Sequence, residues 1–550
     1  MQKKKYFILT LIFLSILSLF YFNQKKGFHE DEIYSYGSSN YKYDNIYKSY
    51  GYTGAELDYF WNVTFKGNLF SKIGNSLEFL LNKDKKAYPY KKELLKKEPI
   101  LKTKQEATEY ISLQKEDLGN YFSVWLNQAI DVHPPLFYFL VHFFSLVSFN
   151  HFSKLPIYLL NLVAFLLTLI AMKKIFEKEK KEDFTLPAVI FYGASMAGLS
   201  TLMFQRMYML LTCFCTWYLY YLLKFDKEEM QKKEKRRFSL IITGGFLTQY
   251  YFCIYAVMSF VTYVVLNLKD KEKIKNLFFI HFKGALLGLL LFPVSIYHIL
   301  FSSRGIVGHE NVAKTYFEML KYFMSNLITK LNLNYILLGL LLLLLIYCSK
   351  KFKLLKKKEF YLFLLPSILS LLVVSKISPF LGEDFTFRYI MFLYPSIVLF
   401  ILYCLSFIKH KKTPIVCLVL TILLSLYGLT TTKPAYLYEG YQKSLDIANT
   451  YQKDTLIYVV DNDYTFLSAM PEFLTYKSHL IINKNADNLG KIKALKEVSK
   501  DKEAILCIKS WLDKENIKKE ILENTSFTEA ILLEDIESDV ESVYYLLKKE

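Results

Sequence analysis

The sequence predicts a polytopic α-helical membrane protein with about eleven transmembrane helices and a small extracytoplasmic α/β domain at the C-terminal end. Three observations carry this prediction. Hydrophobic residues make up 53% of the 550 residues, and aromatic residues make up 17%. Apolar runs of about 16–22 residues, long enough to cross a bilayer, recur as far as residue 430. Beyond that point the pattern changes to short apolar strands separated by polar segments.

The first apolar run, KYFILTLIFLSILSLFYF, covers residues 5–22 and follows a basic N-terminus. A run of this kind is also typical of a signal peptide. No small-x-small cleavage motif follows it, however, and further apolar runs come after it. We therefore predict a retained anchor with its N-terminus in the cytoplasm.

Loops rich in Lys alternate with loops that are poor in Lys and Arg, which the positive-inside rule places on opposite sides of the membrane. Lys-rich loops include 173–183, 224–237 and 350–358. One threading satisfies this alternation, with the N-terminus inside and the C-terminus outside. Its eleven predicted spans lie near residues 6–22, 156–172, 185–204, 207–223, 238–250, 252–268, 277–300, 334–349, 360–377, 389–408 and 413–430.

One further run, PLFYFLVHFFSLVSF at 135–149, is not assigned as a span, because crossing there would place the later Lys clusters outside. We predict a helix at the outer interface, with a kinked or re-entrant helix as the alternative. Residues 23–133 are then a long outer loop with juxtamembrane helices, and residues 1–430 form the membrane domain.

Residues 431–550 are predicted to form the extracytoplasmic α/β domain. Helical stretches such as KIKALKEVSK separate its apolar segments, and no Gly-rich phosphate loop occurs. The predicted strands are 455–460, 479–483, 504–509, 529–535 and 542–547.

The net charge of +18 does not indicate a nucleic-acid-binding protein, because the Lys residues cluster in the short loops between apolar runs. The seven Cys residues are scattered and form no CxxC motif. This spacing supports neither a disulfide framework nor a Cys-based zinc site.

Charged, amide and tyrosine side chains gather at the turns that this threading places outside. An acidic cluster follows the first span, and cations and amides occupy the later turns. These residues are Glu30, Asp31, Glu32, Asp131, His133, Gln205, Arg206, Tyr208, Gln249, Tyr250, Glu383, Asp384 and Arg388. The pattern indicates one outward-facing cavity in which a carboxylate acid or base lies beside cations.

Sugar transfer from a polyprenyl phosphate requires this combination of groups. The donor is a lipid, so the site must lie at the membrane surface. The leaving phosphate is stabilised by Arg, Lys or His⁺, and the acceptor hydroxyl requires a carboxylate base. No nucleotide takes part, which agrees with the missing Gly-rich loop.

Two other function classes remain open at this stage. A transporter or flippase of lipid-linked glycans predicts charges at mid-membrane depth and often repeated halves, whereas these charges lie at outer turns. A non-catalytic scaffold leaves the Asp, His and Arg set without a role.

The motifs resemble those of the GT-C membrane glycosyltransferases of family 39, which include protein O-mannosyltransferases and the aminoarabinose transferases of lipid A. Asp31-Glu32 matches the acidic pair that follows the first span, and the HPPL segment at 133–136 matches the family's HPPL or KPPL segment. Arg206 matches the Arg of an E-A-R turn, but the family's Glu is absent from this turn, which reads Gln205-Arg206-Met207-Tyr208. In the T-Q-Y-Y segment, Gln249 replaces the family's His.

Arg388-Tyr389, with a Pro further on, matches an R-Y…P pattern late in the membrane domain. The resemblance covers about residues 1–430 and implies a GT-C fold and polyprenyl-phosphate-sugar-dependent, inverting transfer.

The resemblance and the chemistry together give each candidate residue a role. Asp31 is the candidate general base, and Glu32 orients a partner or binds sugar hydroxyls. Arg206, His133 and Arg388 are candidate ligands of the donor phosphate. The candidate residues of the sugar or acceptor pocket are Gln249, Tyr250, Gln205 and Tyr208.

The sequence identifies no definite cofactor. A divalent metal could bind near Asp31 and Glu32, although no His or Cys spacing supports one. The expected partners are membrane lipid and a polyprenyl-phosphate sugar, with no nucleic acid. The high content of Lys, Ile, Asn and Tyr and the low content of Gly are typical of an AT-rich bacterial genome. A bacterial source favours undecaprenyl over dolichyl as the carrier. The acceptor is a glycan, a lipid or a protein, and the sugar is not specified by the sequence.

Overall fold

The computed structural model describes residues 2–40, 67–68, 70–71, 74, 99–300, 315–382, 385–461, 465–485, 487–537 and 540–549. Most of the predicted outer loop between residues 41 and 98, together with Glu383 and Asp384, lies outside the described residues. The chain divides into two compact units. The helical unit consists of Met1–Phe22, Val132–Phe137 and Tyr158–Ala435. The mixed unit consists of Asn23–Asp131, Tyr138–Ile157 and Tyr436–Glu550.

Helices dominate the described part of the chain. In chain order they are α1 (Gln2–Gln24), α2 (Glu30–Asn40), α3 (Lys104–Ile111), α4 (Tyr121–Ile130), α5 (Leu136–Phe144), α6 (Leu155–Lys178), α7 (Thr185–Gly193), α8 (Met196–Met203), α9 (Tyr208–Lys227), α10 (Lys232–Thr248), α11 (Tyr251–Leu266), α12 (Lys271–Leu291), α13 (Ser295–Leu300), α14 (Tyr316–Thr329), α15 (Tyr335–Lys351), α16 (Lys358–Ile377), α17 (Tyr394–Leu405), α18 (Thr413–Thr431), α19 (Tyr441–Thr450), α20 (Met470–Phe473), α21 (Lys493–Val498) and α22 (Lys514–Glu523).

The strands are β1 (Lys102–Thr103), β2 (Thr455–Val460), β3 (Ser478–Asn483), β4 (Glu503–Lys509), β5 (Glu529–Ile536) and β6 (Ser542–Lys548).

All eleven predicted apolar runs are helical, but eleven transmembrane helices are not confirmed. Among the described residues, six helices are long and apolar enough to cross a membrane, or seven if the bent pair α7–α8 is one span. The six helices are α1, α6, α12, α16, Thr386–Leu405 and α18. Helix α11 has only 16 residues. It is therefore roughly 24 Å long, whereas the hydrocarbon core of a bilayer is about 30 Å thick.

Small side chains hold α10 against α12 in the helical unit. A Cβ added at Gly284 would lie 2.7 Å from the backbone oxygen of Ser239. At this crossing, the Ser239 hydroxyl donates to the Ile280 carbonyl at 3.0 Å. The Thr243 hydroxyl donates to the Gly284 carbonyl at 2.9 Å. Small residues and interhelical hydrogen bonds of this kind drive helix association where lipid removes the hydrophobic gain.

Residues 315–333, which lie within a predicted outer loop, contain α14. A capping box starts this helix: the Thr315 backbone N–H donates to Glu318 at 2.7 Å, and the Glu318 backbone N–H donates to the Thr315 hydroxyl at 3.4 Å. The T-x-x-E spacing in the sequence therefore indicates the start of a helix that the pattern of apolar runs alone does not predict.

The mixed unit contains a six-stranded sheet with the strand order β1-β3-β2-β4-β6-β5. The pairs β2–β3 and β2–β4 are parallel, whereas β1, β5 and β6 pair antiparallel with their neighbours. Strand β2 is buried along its whole length, as expected for a strand covered on both faces. The predicted C-terminal sheet is confirmed, and β1 adds to it a strand from the segment predicted as outer loop.

Candidate active site

The acidic cluster that follows the first span, Glu30, Asp31 and Glu32, forms the first turn of α2, in the mixed unit. Carboxylates are favourable at a helix N-terminus because they lie against the positive end of the helix dipole. The three side chains differ in exposure: 30% for Glu30, 36% for Asp31 and 0% for Glu32. Asp31 can therefore meet a substrate, whereas Glu32 cannot without rearrangement.

Glu32 is bound by Lys25, a residue that the motif analysis did not single out. The Lys25 Nζ lies 3.0 Å from both carboxylate oxygens of Glu32, and both side chains are completely buried. Lys25 also donates to the Tyr436 carbonyl at 2.6 Å, and Lys154 donates to the Lys25 carbonyl at 2.6 Å. Burial lowers the pKa of Lys25, and the charge of Glu32 opposes that shift.

The C-terminal end of α2 is also held by side chains from the mixed unit. Asn127 donates to the Ser38 carbonyl at 3.1 Å, and Nδ1 of His142 lies 2.7 Å from the Ser39 carbonyl. These contacts satisfy carbonyls that the last turn of a helix leaves open. With Lys25 at the other end, they give Asp31 a rigid support.

Both oxygens of Glu32 accept from Lys25 and are buried, so only Asp31 of this pair presents an exposed carboxylate to a divalent ion. Within the described ranges, no group of three His, Cys, Asp or Glu side chains could hold a metal ion.

Arg206 lies in the helical unit, at the turn that follows the bent pair α7–α8. The two helices meet at 57°. Asn161 of α6 donates its amide to the carbonyls of Leu202 and Phe204 at 3.1 Å and 2.9 Å, which satisfies the end of α8. The chain then turns, with the Arg206 N–H donating to the Phe204 carbonyl at 2.8 Å. Asn161 thus fixes the turn that presents Arg206.

Arg206 contacts His133, another predicted phosphate ligand. The two side chains lie 3.0 Å apart, from Nη2 of Arg206 to Nε2 of His133. A guanidinium has donors only, so Nε2 of His133 must be the acceptor and must carry no proton. In this arrangement His133 orients Arg206 and adds no positive charge of its own.

Arg388 lies close to the same turn, within the helical unit. Its guanidinium carbon is 5.8 Å from the ring centroid of Phe204 and 5.3 Å from that of Tyr389. Tyr208 stacks on Phe204 at 5.5 Å and contacts the edge of Tyr389 at 6.4 Å. The side chains of Arg206 and Arg388 are only 3% and 5% exposed. Buried arginines in a membrane protein are costly and mark functional sites.

The remaining predicted pocket residues lie in the same unit. Gln205 and Gln249 are buried. Tyr250 is half-buried, and its hydroxyl lies 2.9 Å from Nδ1 of His298 on α13, a contact that the sequence analysis missed. The structure therefore brings His133, Arg206 and Arg388 around one turn of the helical unit and places Asp31 and Glu32 on α2 of the mixed unit.

Residues 132–297 match the model of a protein family described as dolichyl-phosphate-mannose-protein mannosyltransferase. A crystal structure of ArnT from Cupriavidus metallidurans bound to undecaprenyl phosphate is similar, with 11% identity and a TM-score of 0.52 over 75% of this chain and 87% of that chain. The apo structure of the same protein has 9% identity and a TM-score of 0.48 over the same shares. A search of curated protein sequences finds no match.

These comparisons confirm the resemblance to the GT-C glycosyltransferases of family 39. The chain has an ArnT-like GT-C fold and is a multi-pass membrane protein. The segment matched by the family model contains His133, Arg206 and Gln249. The comparisons support glycosyltransferase activity as a general class.

Proposed function

We propose that this protein transfers a sugar from a polyprenyl-phosphate donor to an acceptor hydroxyl at the outer face of a cell membrane, with inversion at the anomeric carbon. The observation that carries this proposal is the pair of buried arginines around Phe204, with Arg206 oriented by His133. Two guanidinium groups in a sheltered membrane site suit a leaving phosphate, which they can bind through paired hydrogen bonds. The similar ArnT structure holds undecaprenyl phosphate, which supports the same carrier for this chain.

Asp31 is the proposed general base. It lies on the first turn of a helix that directly follows α1, and it keeps 36% of its side-chain surface exposed. A carboxylate at this position can accept the proton of a hydroxyl that approaches from outside the membrane. Glu32 is buried against Lys25, so its proposed role is to orient the first turn of α2 and not to touch sugar.

The proposed reaction is one displacement. Asp31 takes the proton of the acceptor hydroxyl while that oxygen bonds to the anomeric carbon. The bond from the anomeric carbon to the phosphate oxygen breaks, and the phosphate leaves with the electron pair. Arg206 and Arg388 stabilise the charge that develops on it. Gln205, Gln249, Tyr208 and Tyr250 are the proposed lining of the sugar and acceptor pocket.

The test is release of polyprenyl phosphate from short-chain polyprenyl-phosphate sugars by the full chain purified in detergent. Asp31→Asn should lower the rate by a factor of roughly 100 to 10,000, as expected for a lost general base. Glu30→Gln, a matched change at the neighbouring carboxylate, should retain activity. Full activity of Asp31→Asn would remove Asp31 from the mechanism.

A second comparison separates donor binding from chemistry. Arg206→Ala should weaken the affinity for undecaprenyl phosphate, whereas Asp31→Asn should leave that affinity unchanged. If no donor is turned over although the wild type binds undecaprenyl phosphate and moves it across vesicle membranes, the flippase alternative replaces transfer.

A further inference from the structure

The sheet of the mixed unit has a point where the chain changes direction, between β2 and β4. From β2 the chain passes to β3 on one side, and it then crosses back to β4 on the other side. In open α/β sheets, ligands bind outside the carboxyl ends of parallel strands at such a point. Asp461 follows β2 directly, and Trp511 lies two residues beyond β4.

Trp511 and Asp461 join across this point. The indole Nε1–H of Trp511 donates to the Asp461 carboxylate at 3.0 Å. Trp511 remains 47% exposed. The Lys509 ammonium lies 5.5 Å from the centroid of this ring and donates to the Val540 carbonyl at 2.7 Å. The indole is therefore fixed in orientation at its rim while nearly half of the residue's surface faces solvent.

A second polar side chain is linked to this ring through Asp461. The exposed side-chain amide of Asn485, just beyond β3, donates to the Asp461 carbonyl at 2.8 Å. A primary amide has two N–H donors and one carbonyl acceptor, so it can pair with hydroxyls that both donate and accept. An oriented aromatic face bordered by a carboxylate and an amide matches a pyranose ring, whose C–H face is apolar and whose hydroxyls point outward.

We propose that Trp511, Asp461 and Asn485 form a carbohydrate subsite that binds a sugar ring of a glycan acceptor. This inference rests on the proposed glycosyl transfer and names the class of its acceptor. The pyranose stacks on the indole, and its hydroxyls hydrogen-bond to the carboxylate and the amide.

The segment that follows β2 places this subsite in the neighbourhood of the acidic helix α2 of the same unit. The segment Thr465–Ala469, which follows β2, packs against α2. A glycan held at Trp511 would thus lie near the helix that carries Asp31.

A lipid headgroup is the competing ligand, since Trp and Lys are frequent at membrane interfaces. The indole N–H is already bound by a carboxylate, however, and a carboxylate at the rim repels the anionic lipids that such a pair would otherwise attract. The local chemistry therefore favours a neutral sugar.

The test is saturation-transfer NMR of the full chain in detergent with a panel of mannose, glucose and N-acetylglucosamine oligosaccharides at millimolar concentration. We expect binding of at least one oligosaccharide by the wild type. Trp511→Ala should weaken it about tenfold or more, as expected for an aromatic anchor, and Trp511→Phe should keep part of it. Leu532→Ala, which removes an exposed apolar side chain from β5, is the matched control and should change nothing.

Affinity for undecaprenyl phosphate separates this inference from the proposed function. Trp511→Ala should leave that affinity unchanged. Binding of undecaprenyl phosphate without binding of any oligosaccharide would overturn the subsite and leave the donor assignment standing, whereas failure to bind undecaprenyl phosphate would count against the function itself. Quenching of Trp511 fluorescence by brominated lipids in nanodiscs, absent in Trp511→Phe, would assign the ring to the membrane and also overturn the subsite.

Discussion

Lys25 and Glu32 form an ion pair in which neither side chain has any exposed surface. The Lys25 Nζ lies 3.0 Å from each oxygen of Glu32. The pair joins the segment that follows α1 to the first turn of α2, so it determines where Asp31 stands relative to that segment. Removing one charge leaves the other buried without its counter-ion, which is far more costly than losing an exposed pair.

We therefore expect Lys25→Met or Glu32→Gln to lower the free energy of unfolding by about 3–5 kcal/mol. The double variant Lys25→Met/Glu32→Leu should lose clearly less than the sum of the two single changes, because no buried charge remains. Thermal unfolding of the full chain in detergent measures both.

The exposed pair between Lys3 and Asp183 provides the control for this comparison. Its side chains are 73% and 59% exposed. Because such pairs contribute little, Lys3→Ala should cost no more than about 1 kcal/mol. A Lys25 or Glu32 single variant as stable as the wild type would contradict the buried-pair interpretation.

His133 is expected to act as a hydrogen-bond acceptor for Arg206 and not as a cation. Glutamine can accept the same bond through its amide oxygen, whereas leucine cannot. His133→Leu should therefore weaken the affinity for undecaprenyl phosphate by roughly ten- to a hundredfold, the value of one hydrogen bond to a charged group, and His133→Gln should keep most of it.

Isothermal titration of the purified variants with undecaprenyl phosphate makes this comparison. His410→Leu, an exposed histidine of the same unit, is the control and should bind like the wild type. If His133→Gln loses as much affinity as His133→Leu, the histidine contributes something other than an acceptor.

The bend between α7 and α8 depends on Gly198. A Cβ at this position would lie 2.3 Å from the backbone oxygen of Tyr192, and a backbone atom cannot rotate away as a side chain can. Gly198→Ala should destabilise the protein by about 1–3 kcal/mol and weaken donor affinity, since α8 leads directly to Arg206.

Gly339 in α15 offers the matched control, because a Cβ added there would meet no atom within 4 Å. Gly339→Ala should be neutral or stabilising by up to about 1 kcal/mol. Equal thermal unfolding midpoints for the two variants would show that the bend tolerates a methyl group.

The sequence was sufficient for features with a local signal. Long apolar runs predicted helices of the membrane domain, short apolar segments predicted β2 to β6, and the HPPL and R-Y motifs pointed to His133 and Arg388. Partnerships across long sequence distances had no such signal: His133 and Arg206 are 73 residues apart, and only the fold brings them into contact. In the sequence, Lys25 looks like an ordinary basic residue at the end of a span, because no neighbouring residue indicates that its side chain is buried.

A polar residue within an apolar run also indicates an interhelical contact. Asn161 lies in the middle of an apolar run, where a polar side chain normally serves an interhelical hydrogen bond. It satisfies the end of α8 and so fixes the turn of Arg206. The number of spans stayed open for a different reason. The first six residues of α10 are all charged, and α11 falls short of the bilayer thickness, so composition alone does not decide whether these helices cross.

Glu472 is a fully buried carboxyl group in the mixed unit. The hydroxyls of Tyr441 and Tyr544 donate to it at 2.7 Å and 3.0 Å. Burial raises its pKa to about 7, although these two hydrogen bonds and the charge of Lys509 act in the opposite direction. His479, in the same unit, shows the converse behaviour, because burial and the charge of Lys102 lower its pKa to about 3.

Glu472 should therefore make the folded state less stable as the pH rises. The folded protein holds the proton up to a pH of about 7, whereas the unfolded chain releases it near the usual value of 4.5, so the stability contributed by this group is complete below 4.5 and is lost between 4.5 and about 7. The loss over this window is roughly 3 kcal/mol. His479 acts with the opposite sign, since the unfolded chain gains its proton first as the pH falls below 6.5.

The pH dependences of stability that come from Glu472 and His479 overlap. The measurement is therefore the difference in thermal unfolding between the wild type and Glu472→Gln from about pH 5 to about pH 8. Glutamine keeps an acceptor for both tyrosines and carries no titrating proton. The wild type should lose stability relative to Glu472→Gln as the pH rises and should run parallel to it above about 7. Glu523→Gln, the same change at an exposed carboxylate of α22, should give a profile parallel to the wild type throughout. A constant difference between the wild type and Glu472→Gln would mean that Glu472 does not titrate in this range and that its carboxylate stays charged inside the mixed unit.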